Sequence, residues 1–386
     1  MSKSRTRIFI RGLGNLELME VYPASPSDFT SAGYLKNTQV QIDPEMLNVV
    51  QETGDLVTQI VSAKSVSVLS NLLQAEKTNI DLIRDSEDKI FTVRYHGRAH
   101  HSGIYQYYCF ERAKITPKIG LTFGNAERLL PLLITSIYQE DYAGAYNIPL
   151  VYLWEGEYDV DPSYCKLWLD AKLGLNTDTL YALDISGFAR HGILNITGLW
   201  QTGTPSRFWR FDGTDDNINL GDVFDDDGTS DKLVAVWVRI QGANASTQEI
   251  FGKKASLGNA AGFAMYRYTD NTVRFQIGDG DSNAEVVTVA TLLQNVWSLI
   301  AVTIDRNGNM QMYKDGAVTG AAVSVASQTT GTNAANFLLG AVGAAFGQVD
   351  ISGIHCKDYG AGGLPSNAAT IIANMYTAEK TAHGLT

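Results

Sequence analysis

The feature that most constrains this chain is its rhythm. Short runs alternate apolar and polar residues, as in Lys64, Ser65, Val66, Ser67, Val68 and Leu69, and Gly, Asn, Asp or Ser separate the runs. Successive side chains of a strand point to opposite faces, so alternation with period two marks strands with one face buried. Few segments carry the 3.6-residue period of a helix. The expectation is a mainly β protein, and 36 glycines against only 9 prolines in 386 residues supply the turns it needs.

In the first half, strands are expected around 5–11, 38–42, 56–69, 90–96 and 104–116. The segment Asn125–Gln139 reads as a helix, with Asn125 as N-cap, Glu127 in the first turn and Leu129, Leu132, Leu133 and Ile137 at helical spacing. Pro131 would start or bend it. The acidic stretch EGEYDVDPS (155–163) reads as a linker, giving domains 1–160 and 161–386. Beyond it come strand-like runs at Leu233–Ile240, Gly262–Tyr268, Thr272–Ile277 and Val296–Ile304. Asp305–Gly308 and Lys314–Gly316 read as hairpin turns, because Asn-Gly and Asp-Gly tolerate positive φ. Strands at such spacing point to a sandwich or jelly roll, with Trp237 and Trp297 filling the space between its sheets. Pro365 opens a closing helix with Ile371, Ile372, Met375 and Tyr376 along one side.

Charge and cysteine usage exclude some classes. With 30 basic and 41 acidic residues the net charge is −11, against sequence-nonspecific gripping of nucleic acid. No run of 18 apolar residues is present, and the basic start MSKSRTRIFIRG has no apolar core or cleavage site, so neither a membrane span nor a secretory leader is expected. Cys109, Cys165 and Cys356 are too few and too far apart for a disulfide framework or zinc site; they read as buried free thiols of a protein made in a reducing cytoplasm.

The search for chemistry is mostly negative. Glu155, Glu157, Asp159 and Asp161 alternate like paired glycosidase carboxylates, but they sit in the expected linker and no E-x-D-x-x-E appears. The loop Asp225–Asp231 is a calcium candidate without EF-hand spacing, and reads first as a solvated acidic turn. His96, His100 and His101 do not converge if the segment is extended. Gly12-Leu-Gly14 lacks a third glycine, and no G-x-S-x-G elbow occurs. Asn195-Ile-Thr and Asn244-Ala-Ser are formal sequons that matter only on secretion. Asp184, Ser186 and Gly187 suit a loop in which side-chain oxygens hold backbone N–H groups, with His191 packed beside them. No catalytic, cofactor-binding or metal-binding residue is assigned, and the chain is not expected to be an enzyme. Sugar binding is the serious competitor, with Trp200, Trp209, Tyr266 and Tyr268 as possible platforms.

Two resemblances extend this reading. LWLDAKLG (167–174), LDISGFARHG (183–192), FWRFDGTDDNINLGD (208–222), VWSLIAVTIDRNGNMQMYKDG (296–316) and PSNAATIIANMY (365–376) resemble a laminin G-like, concanavalin A-like jelly-roll domain. That family implies a two-sheet sandwich with a short terminal helix, and glycan binding at its loops. SAGYLKNTQVQIDPEM (31–46), VVQETGDLVTQIVSAKSVSVLSNLLQ (49–74) and ITPKIGLTFGNAERLLPLLITSIYQED (115–141) resemble phage tail tube proteins in layout. This second likeness implies an N-terminal β-sandwich or barrel with one helix. It further implies a structural virion protein in the tail of a phage, made in the host cytoplasm, with homohexameric rings stacked into a tube. DNA would pass through the lumen without specific binding; other tail proteins and host-surface glycans, met by the outer jelly roll, are the remaining partners, and no membrane is involved. The alternative is a lectin-like carbohydrate-binding protein or a capsid or fibre decoration protein.

Overall fold

The computed structural model describes residues 6–22, 30–50, 56–73, 89–98, 105–117, 122–123, 128–136, 151–156, 164–171, 181–188, 190–205, 207–241, 246–288 and 291–382. The chain divides into two compact units, Met1–Asp161 and Pro162–Thr386.

The first unit contains β1 (Thr6–Tyr22), β2 (Thr30–Val50), β3 (Leu56–Leu73), β4 (Ile90–Arg98), β5 (Tyr105–Pro117), β6 (Thr122–Phe123), β7 (Arg128–Ser136) and β8 (Val151–Gly156). Their antiparallel order is β6-β7-β3-β2-β1-β4-β5-β8, and β7 also pairs with β5. That extra pairing closes β7, β3, β2, β1, β4 and β5 into a barrel, which leaves fewer open edges. Register places Leu16 beside Tyr95, Leu18 beside Val93, Phe91 beside Ala113 and Ile115 beside Ile134, so these buried residues share one face. Between Ala113 and Ile115 the exposed Lys114 shows the period-two alternation directly.

Two expectations for this unit need correction. Residues 128–136 form strand β7 rather than part of a helix. Pro131 decides against the helix, since it would remove a hydrogen bond and clash in a helix interior. In the sheet it is tolerated: one side of β7 pairs with β6 at 128–129 and with β5 at 132–136, leaving Pro131 in the gap. Asn125, Glu127, Ile137 and Gln139 lie outside the described residues. Glu155 belongs to β8, opposite Gln106, rather than to a linker; Glu157, Asp159 and Asp161 lie outside the described residues. Gly12 and Gly14 lie within β1, beside a register shift between Ile10 and Leu13, so they form a bulged strand and no phosphate loop.

The second unit is a two-sheet sandwich. Its strands are β9 (Cys165–Asp170), β10 (Tyr181–Ala182), β11 (Gly192–Leu194), β12 (Trp200–Thr202), β13 (Arg207–Arg210), β14 (Ile218–Asn219), β15 (Ser230–Ile240), β16 (Gln248–Lys253), β17 (Gly262–Arg267), β18 (Val273–Gly278), β19 (Asn283–Val287), β20 (Trp297–Ile304), β21 (Asn309–Lys314), β22 (Ala317–Ser324), β23 (Leu338–Leu339), β24 (Ala341–Val342), β25 (Ala345–Phe346) and β26 (Val349–Ala361). Helix α1 (Ala368–Ala382) follows. One sheet runs β10-β11-β14-β23-β16-β17-β18-β19; the other runs β12-β13-β26-β15-β20-β21-β22, with β9 on β26.

Between the sheets lies one core, including Leu167, Trp209, Val234, Val236, Val238, Phe251, Phe263, Phe275 and Phe337. The continuous apolar run of β15 has a second cause. Leu233, Ala235 and Trp237 face the other way, clustering with Leu299, Ala301, Tyr313 and Ile372 of α1. Trp237 therefore packs beneath the helix rather than between the sheets, stacked on Tyr376 at 5.8 Å. Trp297, expected in the same core, is only partly buried; its Nε1 donates to Thr204 O and the Arg239 guanidinium lies over its ring. The β21–β22 turn has φ of 52° at Asp315 and 82° at Gly316, the positive-φ pair that Asp-Gly supplies most easily.

Candidate functional site

Strand alternation gives the outer face of β17, β18 and β19 its character. Phe263, Met265, Phe275 and Ile277 point into the core, so Tyr266, Arg274, Gln276 and Glu285 point away from it. Register sets Tyr266 beside Arg274 and Gln276 beside Glu285. Glu285 is the hub: Tyr266 Oη donates to it, Arg274 Nη1 donates at 3.0 Å and Gln276 Nε2 at 3.4 Å. Arg274 Nη2 reaches Asp270 at 3.0 Å, and its guanidinium lies 3.8 Å from the centre of the Tyr268 ring. Lys254 closes the cluster, donating to Gln276 Oε1 at 3.2 Å and Gly258 O at 2.9 Å.

The electrostatics follow from this packing. Burial and the Glu285 carboxylate push the Tyr266 phenol above its ordinary value, so it is a fixed donor. Burial lowers the Lys254 ammonium to about 8, against the pull of Glu285. Burial works against the Arg274 charge, but Asp270 and Glu285 outweigh it and hold the guanidinium above its ordinary value. Tyr268 remains 39% exposed and Asp270 49%, so the Tyr268–Asp270–Arg274 rim meets solvent. Aromatic area flanked by oriented donors and acceptors is the chemistry that a polyhydroxylated ligand requires.

Of the four aromatic platforms read from sequence, only Tyr268 is exposed. Trp200 and Trp209 pack on each other in the inter-sheet core, and Tyr266 is buried beneath the polar network. Arg274, Gln276 and Glu285 escaped the sequence reading, although their alternation with Phe275, Ile277 and Val286 placed them on one face; Lys254, just past the end of β16, carried no such signal.

The other sequence candidates resolve into structure. The Asp184 carboxylate accepts from Trp168 N, Ser186 N, Ser186 Oγ and Arg190 N, and His191 Nδ1 accepts from Asp184 N, so this loop is a packed turn. The loop Asp225–Asp231 is not a solvated turn. Asp225 lies 3.0 Å from buried Lys253, Asp226 pairs with Arg306 at 3.5 Å, Asp227 caps Ser230, and Asp231 accepts from Arg306 N and Leu364 N. Internal cations and N–H groups thus take these carboxylates, which argues against calcium there. Asn195 is exposed, its side chain tied to Asp215 O and Asn217 N. Cys165 and Cys356 are buried, and Cys356 is a free thiol. For His96 and Cys109 only the strand is described, and His100, His101 and Asn244 lie outside the described residues.

Fold and face together define a concanavalin A-like jelly-roll sandwich. A family model described as the concanavalin A-like lectin/glucanases superfamily matches residues 212–352, the heart of the second unit. No curated protein sequence matches the chain. Similar solved structures include the binding domain of Paraclostridial Mosquitocidal Protein 1 (TM-score 0.44, 13% identity, 56% of this chain and 52% of that one). The receptor binding domain of botulinum neurotoxin D has a TM-score of 0.42 at 12% identity, over 56% and 53% of the two chains. Domain 4 of AbnA, a GH43 extracellular arabinanase from Geobacillus stearothermophilus, in complex with arabinotriose, has a TM-score of 0.40 at 17% identity, over 54% and 98%. The likeness spans about half the length of the two toxin domain structures.

Proposed function

We propose that the second unit is a carbohydrate-binding module and that the outer face of β17–β19 receives the glycan. The observation that carries this reading is the Arg274 guanidinium stacked on exposed Tyr268 and bonded to both Asp270 and Glu285. The ring offers a face for a sugar's apolar side, while Arg274 and Asp270 present a donor and an acceptor to its hydroxyls. Both carboxylates are engaged by Arg274, which supports binding over an acid–base pair and keeps the non-enzyme reading. The test is retention of the full chain on immobilised polysaccharides and a glycan array. Wild type should be retained and Tyr268→Ala should lose most of that retention. Equal retention of the two, or none by either, would remove the site.

A second reading concerns the first unit and rests on one feature. From Pro44 opposite Ala63 to Val50 opposite Leu56, β2 and β3 pair only with each other among the described residues, beyond the end of β1's pairing at Ile42. A two-stranded ribbon is marginal alone, and its open edges suit strand addition by another copy. Ring assembly, as in a phage tail tube with the jelly roll displayed outside, is the proposal this ribbon favours. Many copies would then turn weak glycan contacts into avidity. Negative-stain microscopy of the full chain tests it: rings or tubes support assembly, and a uniform small particle at high concentration refutes it without touching the glycan reading.

A further inference from the structure

We propose that the loop joining β13 to β14 is a calcium site, with Asp212, Asp215 and Asp216 supplying carboxylate oxygens. Each of the three brings an oxygen within 4.8 Å of the others. Asp212 and Asp215 are exposed, whereas Asp216 is 4% exposed. The buried member is the independent observation. Its Oδ2 accepts from Asp212 N at 2.9 Å, but its Oδ1 is sealed from solvent and has no hydrogen-bond partner. A buried carboxylate oxygen without a partner is costly and calls for a missing one.

The surroundings say what that partner is. Among the described residues none of these three carboxylates has an ion pair, whereas Asp222, Asp225, Asp226, Asp350 and Asp358 each meet a lysine or arginine. The three carboxylates therefore crowd one another, with oxygens within 4.8 Å, and nothing of opposite charge among the described residues separates them. One proton would relieve a single pair and leave the third carboxylate. A divalent cation relieves all three at once.

Every donor is oxygen, which selects a hard cation over zinc or copper. Calcium accepts a mixture of carboxylates and waters in irregular geometry, whereas magnesium needs a near-octahedral shell; two exposed ligands beside one buried ligand fit calcium. The loop is also held ready without a metal. Asn195 Nδ2 donates to Asp215 O at 2.7 Å, Thr214 N donates to Asp212 Oδ1 at 2.7 Å, and Gly213 has φ of 81°, with Gln348 3.1 Å from where a Cβ would stand. This site lies on the β13–β14 loop, apart from the Asp225–Asp231 stretch, whose carboxylates are already neutralised.

The test uses the full chain, stripped with chelator and titrated with calcium chloride by calorimetry, with the thermal midpoint followed in parallel. Binding of one calcium ion by this loop, a raised midpoint with calcium and a much smaller effect of magnesium are expected. In Asp215→Asn the Kd should rise about tenfold or more, because a charged ligand is lost. No midpoint change up to about 1 mM calcium, the weak end of protein calcium sites, would overturn the proposal. Unchanged affinity in Asp215→Asn, or an equal response to magnesium, would overturn it too. Asp215 is exposed, and among the described residues its carboxylate makes no hydrogen bond or ion pair, so its replacement leaves the fold intact; Asp212→Asn provides a second variant with the same expectation.

Discussion

Asp350, on β26, ties together three neighbouring strands of the second sheet, β13, β26 and β15. Its side chain is fully buried and accepts from Arg210 Nε at 2.9 Å, Arg239 Nη2 at 2.6 Å and Gln241 Nε2 at 2.9 Å. Arg239 is further fixed by lying over Phe208 and Trp297, so its donors cannot easily turn elsewhere. Asp350→Asn keeps the shape but removes the charge that holds two guanidinium groups. Breaking one partner of a buried ion pair costs about 3–5 kcal/mol. Arg210 is 45% exposed and rehydrates, whereas Arg239 is 19% exposed and does so less, which selects the lower end, ~3 kcal/mol. For a unit of this size each kcal/mol moves the midpoint by about 2–4 °C, so a fall of roughly 6–12 °C is expected. Differential scanning calorimetry of the full chain reads it on the transition of the second unit. A fall below ~2 °C would refute the reasoning, because it would mean that water or Gln241 satisfies both arginines without the charge.

Three further perturbations separate other parts of the account. In Lys254→Met the pH dependence of stability should change between about 8 and the ordinary lysine value of 10.5. In that window the unfolded chain binds more protons at this lysine than the folded one, so its contribution to stability rises with pH; denaturant titrations should show that the variant lacks this rise. Gly228→Ala should be far more damaging than Gly221→Ala: both have positive φ, 77° and 75°, but a Cβ on Gly228 would meet Thr329 O at 1.8 Å, whereas Gly221 has nothing within 4 Å. The second substitution should cost only ~1 kcal/mol of backbone strain in chemical unfolding, and equal costs would contradict the packing described. Glu379→Ala removes the acceptor shared by Trp237 Nε1 and His355 Nε2, so hydrogen exchange in α1 should accelerate while β16–β18 stay protected.

What could be read from sequence follows the range of the interactions. Strands were legible because alternation is local: Leu233–Ile240 and Gly262–Tyr268 lie within three residues of β15 and β17 at every end. The Lys314–Gly316 turn was legible because positive φ selects residue types, and the Asp305–Gly308 turn because an Asp side chain accepts from the backbone two residues on, here Asn307 N. The face of a strand was harder. Trp237 and Val238 look equivalent in LVAVWVRI, and only α1, more than a hundred residues later, decides that Trp237 packs against a helix. Residues 128–136 misled for the opposite reason, since Leu129, Leu132 and Leu133 fit a helix and only pairing with β3 and β5 makes them a strand. Acidic loops were the least legible. Asp225–Asp231 and Asp212–Asp216 look alike as strings, but Lys253 and Arg306 arrive from distant strands and turns to neutralise the first, and no cation among the described residues arrives for the second.

The central claim, that the β17–β19 face receives a glycan, is tested most directly by hydrogen–deuterium exchange on the full chain with and without the best-retained oligosaccharide. Slower exchange along β17, β18 and β19 and in the Tyr268–Thr272 turn, abolished in Arg274→Met, is the expected result. Protection confined to other segments, or a pattern unchanged by Arg274→Met, would contradict the account.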